Sequence, residues 1–306
     1  MRKSLIIGSR GSKLALTQSE TVAELLRRAH SGLTVGIETI STQGDRNLDR
    51  PLAEIGGKGV FTQELEAALL DGSIDLAVHS LKDLPTEQPE GLTLAAIPER
   101  ATPHDVLVCS KWSTLEELPD GSVVGTSSPR RKAQLLVVRP ELKIVDLRGN
   151  VETRIGKVTA GEIDAAILAL AGLERLGLQE AIAEVLPPDV MLPAPGQGAL
   201  GIQTRADDAE LIQGLETIEH ARTRYEVTAE RIVLSELGGG CQVPIGALAR
   251  LRDDGLILNV CVCGVDGVRI LRTRERGDPI LATEIGRRAA RNLLRNGAEE
   301  LIGELE

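Results

Sequence analysis

Aromatic side chains are nearly missing: Phe61, Trp112 and Tyr225 are the three in 306 residues. Single-stranded nucleic acid is held by stacking its bases on aromatic platforms inside a positive groove. This chain lacks the platforms, and 35 Lys+Arg against 45 Asp+Glu give it a formal net charge of −10. A nucleic-acid partner is therefore not expected. Cysteine is also scarce, and four residues make no disulfide framework. Long apolar runs are absent too. The longest spans 165–173, between Asp164 and Glu174, whereas a membrane-spanning helix needs about 20 apolar residues. The N-terminal MRKSLIIGSRGS offers three apolar residues before Gly8, too few for a secretory segment. A cytoplasmic protein without a membrane partner is expected. No G-x-x-x-x-G-K-[ST] loop, no G-x-G-x-x-G after a strand and no G-x-S-x-G elbow occurs, so nucleotide binding and Ser-His hydrolysis are not favoured.

What is present is a globular chain with 42% hydrophobic residues and 32 glycines. Its length allows two or three domains at roughly 150 residues each. The first 200 residues alternate short apolar strands (5–7, 35–40, 74–78, 106–109, 123–124, 144–147 and 163–170) with helical patterns. Such alternation predicts an α/β fold with mostly parallel sheets. Helices are predicted over 13–29, capped by Ser12, and over 61–70, stopped by Gly72.

Two signatures recur in the same order. A strand ending in Gly and a hydroxyl residue leads to a basic helix start at Gly8-Ser9-Arg10 and again at Gly125-Thr126-Ser127. The pattern G-x-I-D-x-A follows at 72–77 and at 161–166. Together they predict two similar lobes with a ligand cleft where strands end at helix N-termini. Pro187, Pro188, Pro193 and Pro195 mark a boundary, after which 199–204 reads as a strand returning to the first lobe. The last ~85 residues change character: a helix over 222–237, strands over 245–251, 256–263 and 268–273 separated by Asp-Gly turns, and a helix over 279–296. This predicts a small α+β domain with an antiparallel sheet. The expected division is 1–98 with 197–218, then 99–196, then 219–306.

Charge is distributed against the global balance. Between Thr126 and Lys157 lie Arg130, Arg131, Lys132, Arg139, Lys143, Arg148, Arg154 and Lys157, opposed by Glu141, Asp146 and Glu152. Thr126-Ser127-Ser128-Pro129 precedes the paired arginines, and hydroxyls with free N–H groups at a helix start form an anion site. Arg10 and Ser12 offer a second. A solvated helix face would account equally for Lys132 and Arg139. Asp83, just past a strand in His79-Ser80-Leu81-Lys82-Asp83-Leu84-Pro85, could steady a developing cation or move a proton, or merely cap a turn. His79 could be a base, or a hydrogen-bonded structural residue. Cys241, in GGGCQVPIG, sits on a glycine turn where a thiol could be a nucleophile or an attachment point, or a small buried hydrophobe. Cys261 and Cys263 share one face of a strand and lack further ligands, so burial is expected rather than a metal site. Cys109 reads as a core residue.

Several motifs together resemble one family. AVHSLKDLP (77–85), GTSSPRR (125–131), LRGNVETR (147–154), PAPGQGALGI (193–202), GGCQVPIG (239–246), IGSRGSKLALTQ (7–18) and GGKGVFTQELE (56–66) are similar to the porphobilinogen deaminase, or hydroxymethylbilane synthase, family. The resemblance implies two type II periplasmic-binding-protein-like lobes and a third, Cys-bearing domain. It implies a transferase of porphyrin biosynthesis that joins four porphobilinogen units, releasing ammonia, on a dipyrromethane cofactor. By resemblance Cys241 is the thioether anchor and Asp83 the catalytic carboxylate. Lys82, Thr126, Ser127, Ser128, Arg130, Arg131, Arg148 and Gly149 then bind the cofactor with Asp83. Arg10, Ser12, Gln18, Phe61, Arg154, Arg175 and Gln197 bind substrate. No metal is implied, and a monomer is expected. Gln43 and Glu54 stand where many relatives carry a basic residue, on a stretch (42–60) expected to act as a lid. The rival from another class is a carboxylate-binding module without catalysis, which would have no use for Cys241.

Overall fold

The computed structural model describes residues 2–42, 62–238, 243–264 and 267–303. Phe61, Cys241, Gln43, Glu54 and nearly all of the expected lid lie outside them. The chain forms two compact units, 1–101 with 199–224, and 102–198 with 225–306.

The first unit is a five-stranded sheet in the order β2-β1-β3-β10-β4. Its strands are β1 (Ser4–Ser9), β2 (Thr34–Thr39), β3 (Leu76–Ser80), β4 (Leu92–Ala96) and β10 (Leu200–Arg205). Helix α1 (Lys13–Ala29) begins where expected, because Ser12 Oγ accepts from Ala15 N at 3.2 Å. Its Val22 and Leu26 pack on Leu5, Ile7, Val78 and Ile202. Helix α2 (Gln63–Asp71) lies against Ala77 and Leu92 through Leu65 and Leu69, and Gly72 ends it at φ 80°.

The second unit holds another five-stranded sheet, ordered β7-β6-β8-β5-β9: β5 (Asp105–Cys109), β6 (Val123–Gly125), β7 (Lys143–Val145), β8 (Ala165–Ala169) and β9 (Ile182–Val185). Helices α3 (Pro129–Val138), α4 (Val151–Thr159) and α5 (Leu170–Leu176) accompany it. Position by position the two sheets share one order. The recurring G-x-I-D pattern has one structural meaning in both. Asp75 Oδ2 accepts from Ile6 N of β1 at 2.8 Å, and Asp164 Oδ2 accepts from Val123 N of β6 at 2.9 Å. Each aspartate therefore pins the strand it leads into against its parallel neighbour.

The expectation of mostly parallel sheets is corrected. β10 runs antiparallel to both β3 and β4, and β5 antiparallel to both β8 and β9. Half the pairings in each sheet are therefore antiparallel. In each unit the reversed strand is the one by which the chain arrives from the other unit, and strand–helix alternation carries no record of that direction.

The antiparallel meander of β11 (Ile245–Arg252), β12 (Gly255–Cys263) and β13 (Ile270–Gly277) completes the second unit. One face buries Ala247, Leu258 and Val260 against helices Ala221–Glu236 and Ala282–Arg295. The expected α/β lobes and separate three-stranded sheet are what the chain forms. Strand β13 runs four residues past its expected end, with Arg272, Arg274 and Arg276 alternating outward.

Candidate functional site

In the first unit, β3 ends in a single 3₁₀ turn, Leu81–Asp83. Leu81 and Leu84 are buried, which fixes the turn and leaves Lys82 and Asp83 half-buried. Asp83 shares a pocket with Arg10, Gln18, Thr62, His79 and Ser80. Arg10 follows β1 directly. Gln18, 4% exposed on α1, donates from Nε2 to Ser80 Oγ at 2.8 Å and so ties helix to strand end. Three of the residues singled out from sequence, Arg10, Gln18 and Asp83, thus converge. Ser12 stays at the cap of α1 with its oxygen engaged by Ala15 N.

His79 lines the same pocket and is buried. Desolvation lowers its pKa to about 4, opposed by its bond to Gln203 and assisted by the Arg10 charge. The ring is therefore neutral when folded, whereas in the unfolded chain it titrates normally at about 6.5. Between these values the unfolded state binds the extra proton, so stability rises with pH across that window and is lost as pH falls through it. We expect His79→Gln to flatten the pH dependence of chemical-denaturation stability between pH 4 and 6.5 by about 3 kcal/mol. An unchanged slope would show that the ring is not neutral there.

In the second unit, the hydroxyl residues before α3 are fixed by local bonds. Thr126 Oγ1 accepts from Ser128 N at 3.2 Å, Ser127 Oγ donates to Leu147 O at 3.0 Å, and Ser128 Oγ accepts from Arg131 N at 3.4 Å. Ser127 thereby joins the β6 turn to the turn after the parallel strand β7, which carries Arg148 and Gly149. Gly149 holds φ 105°, a region closed to most residues, and its carbonyl accepts from Arg154 Nε at 2.9 Å. Arg148 is half-buried and makes no hydrogen bond or ion pair with any described residue. Arg175, on α5, donates from Nη2 to Gly198 O at 2.8 Å, and burial lowers its pKa.

Arg130 and Arg131 lie deeper than sequence suggested, at 4% and 6% exposure. Both pair with Asp105, Arg130 Nη1 to Oδ2 and Arg131 Nη2 to Oδ1, each at 2.7 Å. Gln197 Nε2 adds a bond to the same carboxylate at 3.0 Å. Burial pushes the Asp105 carboxyl upward, but the two guanidinium groups override it and hold it well below the usual carboxylate range. Asp105 was not singled out from sequence. The one signal it gave was an acid opening an otherwise apolar strand, DVLVC.

Cys261 and Cys263 are buried, as expected, and Cys261 Sγ lies 3.6 Å from Gln134 Oε1. Cys109 Sγ donates to Asp164 O at 3.3 Å. Among the described residues no group of three or more His, Cys, Asp or Glu is placed to hold a metal ion, and no helix is long and apolar enough to cross a membrane.

Comparison with known proteins adds family information. Residues 5–213 match the family model described as porphobilinogen deaminase, dipyromethane cofactor binding domain, and 224–295 match the porphobilinogen deaminase C-terminal domain. A porphobilinogen deaminase of Roseiflexus sp. (strain RS-1) is 50% identical over 302 residues, covering 99% of both chains. One from Desulforudis audaxviator (strain MP104C) is 50% identical and covers 99% of this chain and 98% of its own. Among solved structures, a periplasmic substrate-binding protein from Coxiella burnetii is 17% identical with a TM-score of 0.44, covering 70% of this chain and 91% of that one.

Proposed function

The chain belongs to the porphobilinogen deaminase family and carries its dipyrromethane cofactor-binding domain, and from that premise we propose how its own residues run the reaction. Four porphobilinogen units are joined head to tail, one ammonia leaving per unit, to give a linear tetrapyrrole. The pocket shared by Asp83 and Arg10 is the observation that carries the assignment.

Each porphobilinogen brings an acetate and a propionate, so a growing chain accumulates negative charge. Residues suited to hold such groups are planar guanidinium forks and hydroxyl or backbone donors. Arg148 supports this reading most directly, as a half-buried cation that no described protein group neutralises. A dipyrromethane bearing the same acidic substituents suits Arg148, Gly149, Lys82 and the hydroxyls of Thr126 and Ser128, with Ser127, whose hydroxyl is spent on Leu147, contributing through its backbone N–H. We assign Arg130 and Arg131 to it as well, oriented by Asp105. Arg10, Ser12, Gln18, Phe61, Arg154, Arg175 and Gln197 are assigned to substrate, and Cys241, within the anchoring segment 219–306, to the thioether. When bound, the dipyrromethane supplies the pyrrole carbon from which the chain grows. Asp83 places a carboxylate beside the ring nitrogen of the reacting porphobilinogen. As ammonia leaves, positive charge spreads onto that nitrogen, and the fixed anion lowers the barrier. We place the protein in the cytoplasm as a monomer.

The test is turnover. Purified protein given porphobilinogen should release one ammonia per unit consumed, and absence of ammonia would remove the assignment. Arg148→Leu should raise KM for porphobilinogen, or impair cofactor loading, by about 10-fold, the scale of one charge-assisted hydrogen bond. Steady-state kinetics and the fraction of loaded chain by mass would read it.

A further inference from the structure

His79 is 6% exposed yet reaches the Asp83 pocket. It sits on the α2 side of β3, within a polar chain crossing an otherwise apolar layer. Its Nε2 lies 3.1 Å from Gln203 Oε1. The far end of Gln203 settles the direction of that bond. Gln203 Nε2 faces Gln88 Oε1 at 2.9 Å and Glu66 Oε1 at 3.4 Å. The amide NH₂ supplies the hydrogens for those oxygens, so Gln203 Oε1 can accept only from His79. The imidazole therefore carries its hydrogen on Nε2, and Nδ1 holds a lone pair. No described residue donates to Nδ1. Burial and the Arg10 charge keep the ring neutral, so Nδ1 stays an acceptor at physiological pH.

An acceptor in a pocket built for an acidic substrate is out of place unless it meets a donor. It repels carboxylate oxygens and attracts N–H groups. Porphobilinogen has two kinds of N–H, on the ring nitrogen and on the aminomethyl group attached to the adjacent carbon. Among the acceptors on the lining residues, the Gln18 carbonyl and the Ser80 and Thr62 hydroxyls belong to groups that also donate; two have no hydrogen to offer, the Asp83 carboxylate and His79 Nδ1, the ring nitrogen that the Gln203 bond leaves over. The charged one suits the ring nitrogen, where positive charge grows. We propose that His79 Nδ1 accepts a hydrogen bond from the aminomethyl nitrogen of porphobilinogen, orienting that end of the substrate beside Asp83. This rests on the reading of the Asp83 pocket as the reaction site. A neutral, weakly basic acceptor holds the protonated amine without taking its proton, and so leaves it able to depart as ammonia.

Two substitutions separate this role from a structural one. His79→Gln retains a group that can donate to Gln203 and loses the acceptor at the Nδ1 position. His79→Asn loses the Gln203 contact and places an amide oxygen near Nδ1. In the holoenzyme, His79→Gln should raise KM for porphobilinogen by about 10- to 100-fold, with His79→Asn recovering most of it. A porphobilinogen analogue with methyl in place of aminomethyl should bind wild type and His79→Gln equally. The reverse ranking, or equal loss with both ligands, would overturn the proposal. If either variant fails to fold, ¹⁵N-histidine spectra of the wild-type holoenzyme decide it. One unprotonated Nδ1 resonance should move upfield on adding an α-blocked analogue that keeps the aminomethyl group, and its failure to move would refute the contact. Wild-type enzyme that does not consume porphobilinogen would instead remove the underlying assignment.

Discussion

Asp83→Ala is expected to lower kcat on porphobilinogen by about 10²–10³-fold while leaving the fold intact, the usual cost of deleting one preorganised electrostatic group. The turn that carries it explains both halves of the expectation. Leu81 and Leu84, at 0% and 2% exposure, anchor the 3₁₀ turn in the core, so stability does not depend on the half-buried carboxylate between them. The charge itself has no substitute placed to face the ring nitrogen, because its polar neighbours in the pocket are a cation, one amide, two hydroxyls and a neutral imidazole. Asp83→Glu keeps the charge but moves it by one methylene, and should bind substrate nearly normally while turning over slowly. Single-turnover kinetics on cofactor-loaded protein would separate chemistry from loading. A near-normal rate for Asp83→Ala would remove this residue from the catalytic role.

The second large effect is on stability. Asp105→Ala should destabilise the chain by about 3–5 kcal/mol, since it strands two buried guanidinium groups without their anion. Arg130 and Arg131 have little access to water, and Gln197 loses a partner in the same step. Urea denaturation of the cofactor-free protein would measure it. A loss below about 1 kcal/mol would mean that water reaches the arginines and that Asp105 is not what holds them. Asp105→Asn keeps the shape without the charge and should fall between wild type and Asp105→Ala. The pairs hold both guanidinium groups in fixed directions.

Local patterns were easily read in the sequence, and long-range ones were not. Ser12, Gly72 and Ser128-Pro129 announce helix ends through bonds to residues at most four positions away, and each helix starts or stops there. The repeated G-x-I-D pattern gave away the doubled lobe because its aspartate performs the same strand-pinning task twice. The Arg130–Asp105 pair joins residues 25 positions apart, and His79–Gln203 joins residues 124 apart. Periodicity carries no trace of such partners. Arginines beside a helix start therefore read as an open anion site, although an internal carboxylate already holds them. Gln203, at 0% exposure in the middle of β10, read as one more strand residue. In the structure it decides which nitrogen of His79 is free.

Intact-mass spectrometry of the native chain tests the central claim most directly. If a thioether at Cys241 holds the primer, the wild-type protein should weigh more than its sequence by one dipyrromethane, and Cys241→Ser should weigh its sequence alone and be inactive. A turnover-competent wild-type chain at its unmodified mass, or a Cys241→Ser chain that still carries the added mass, would contradict it.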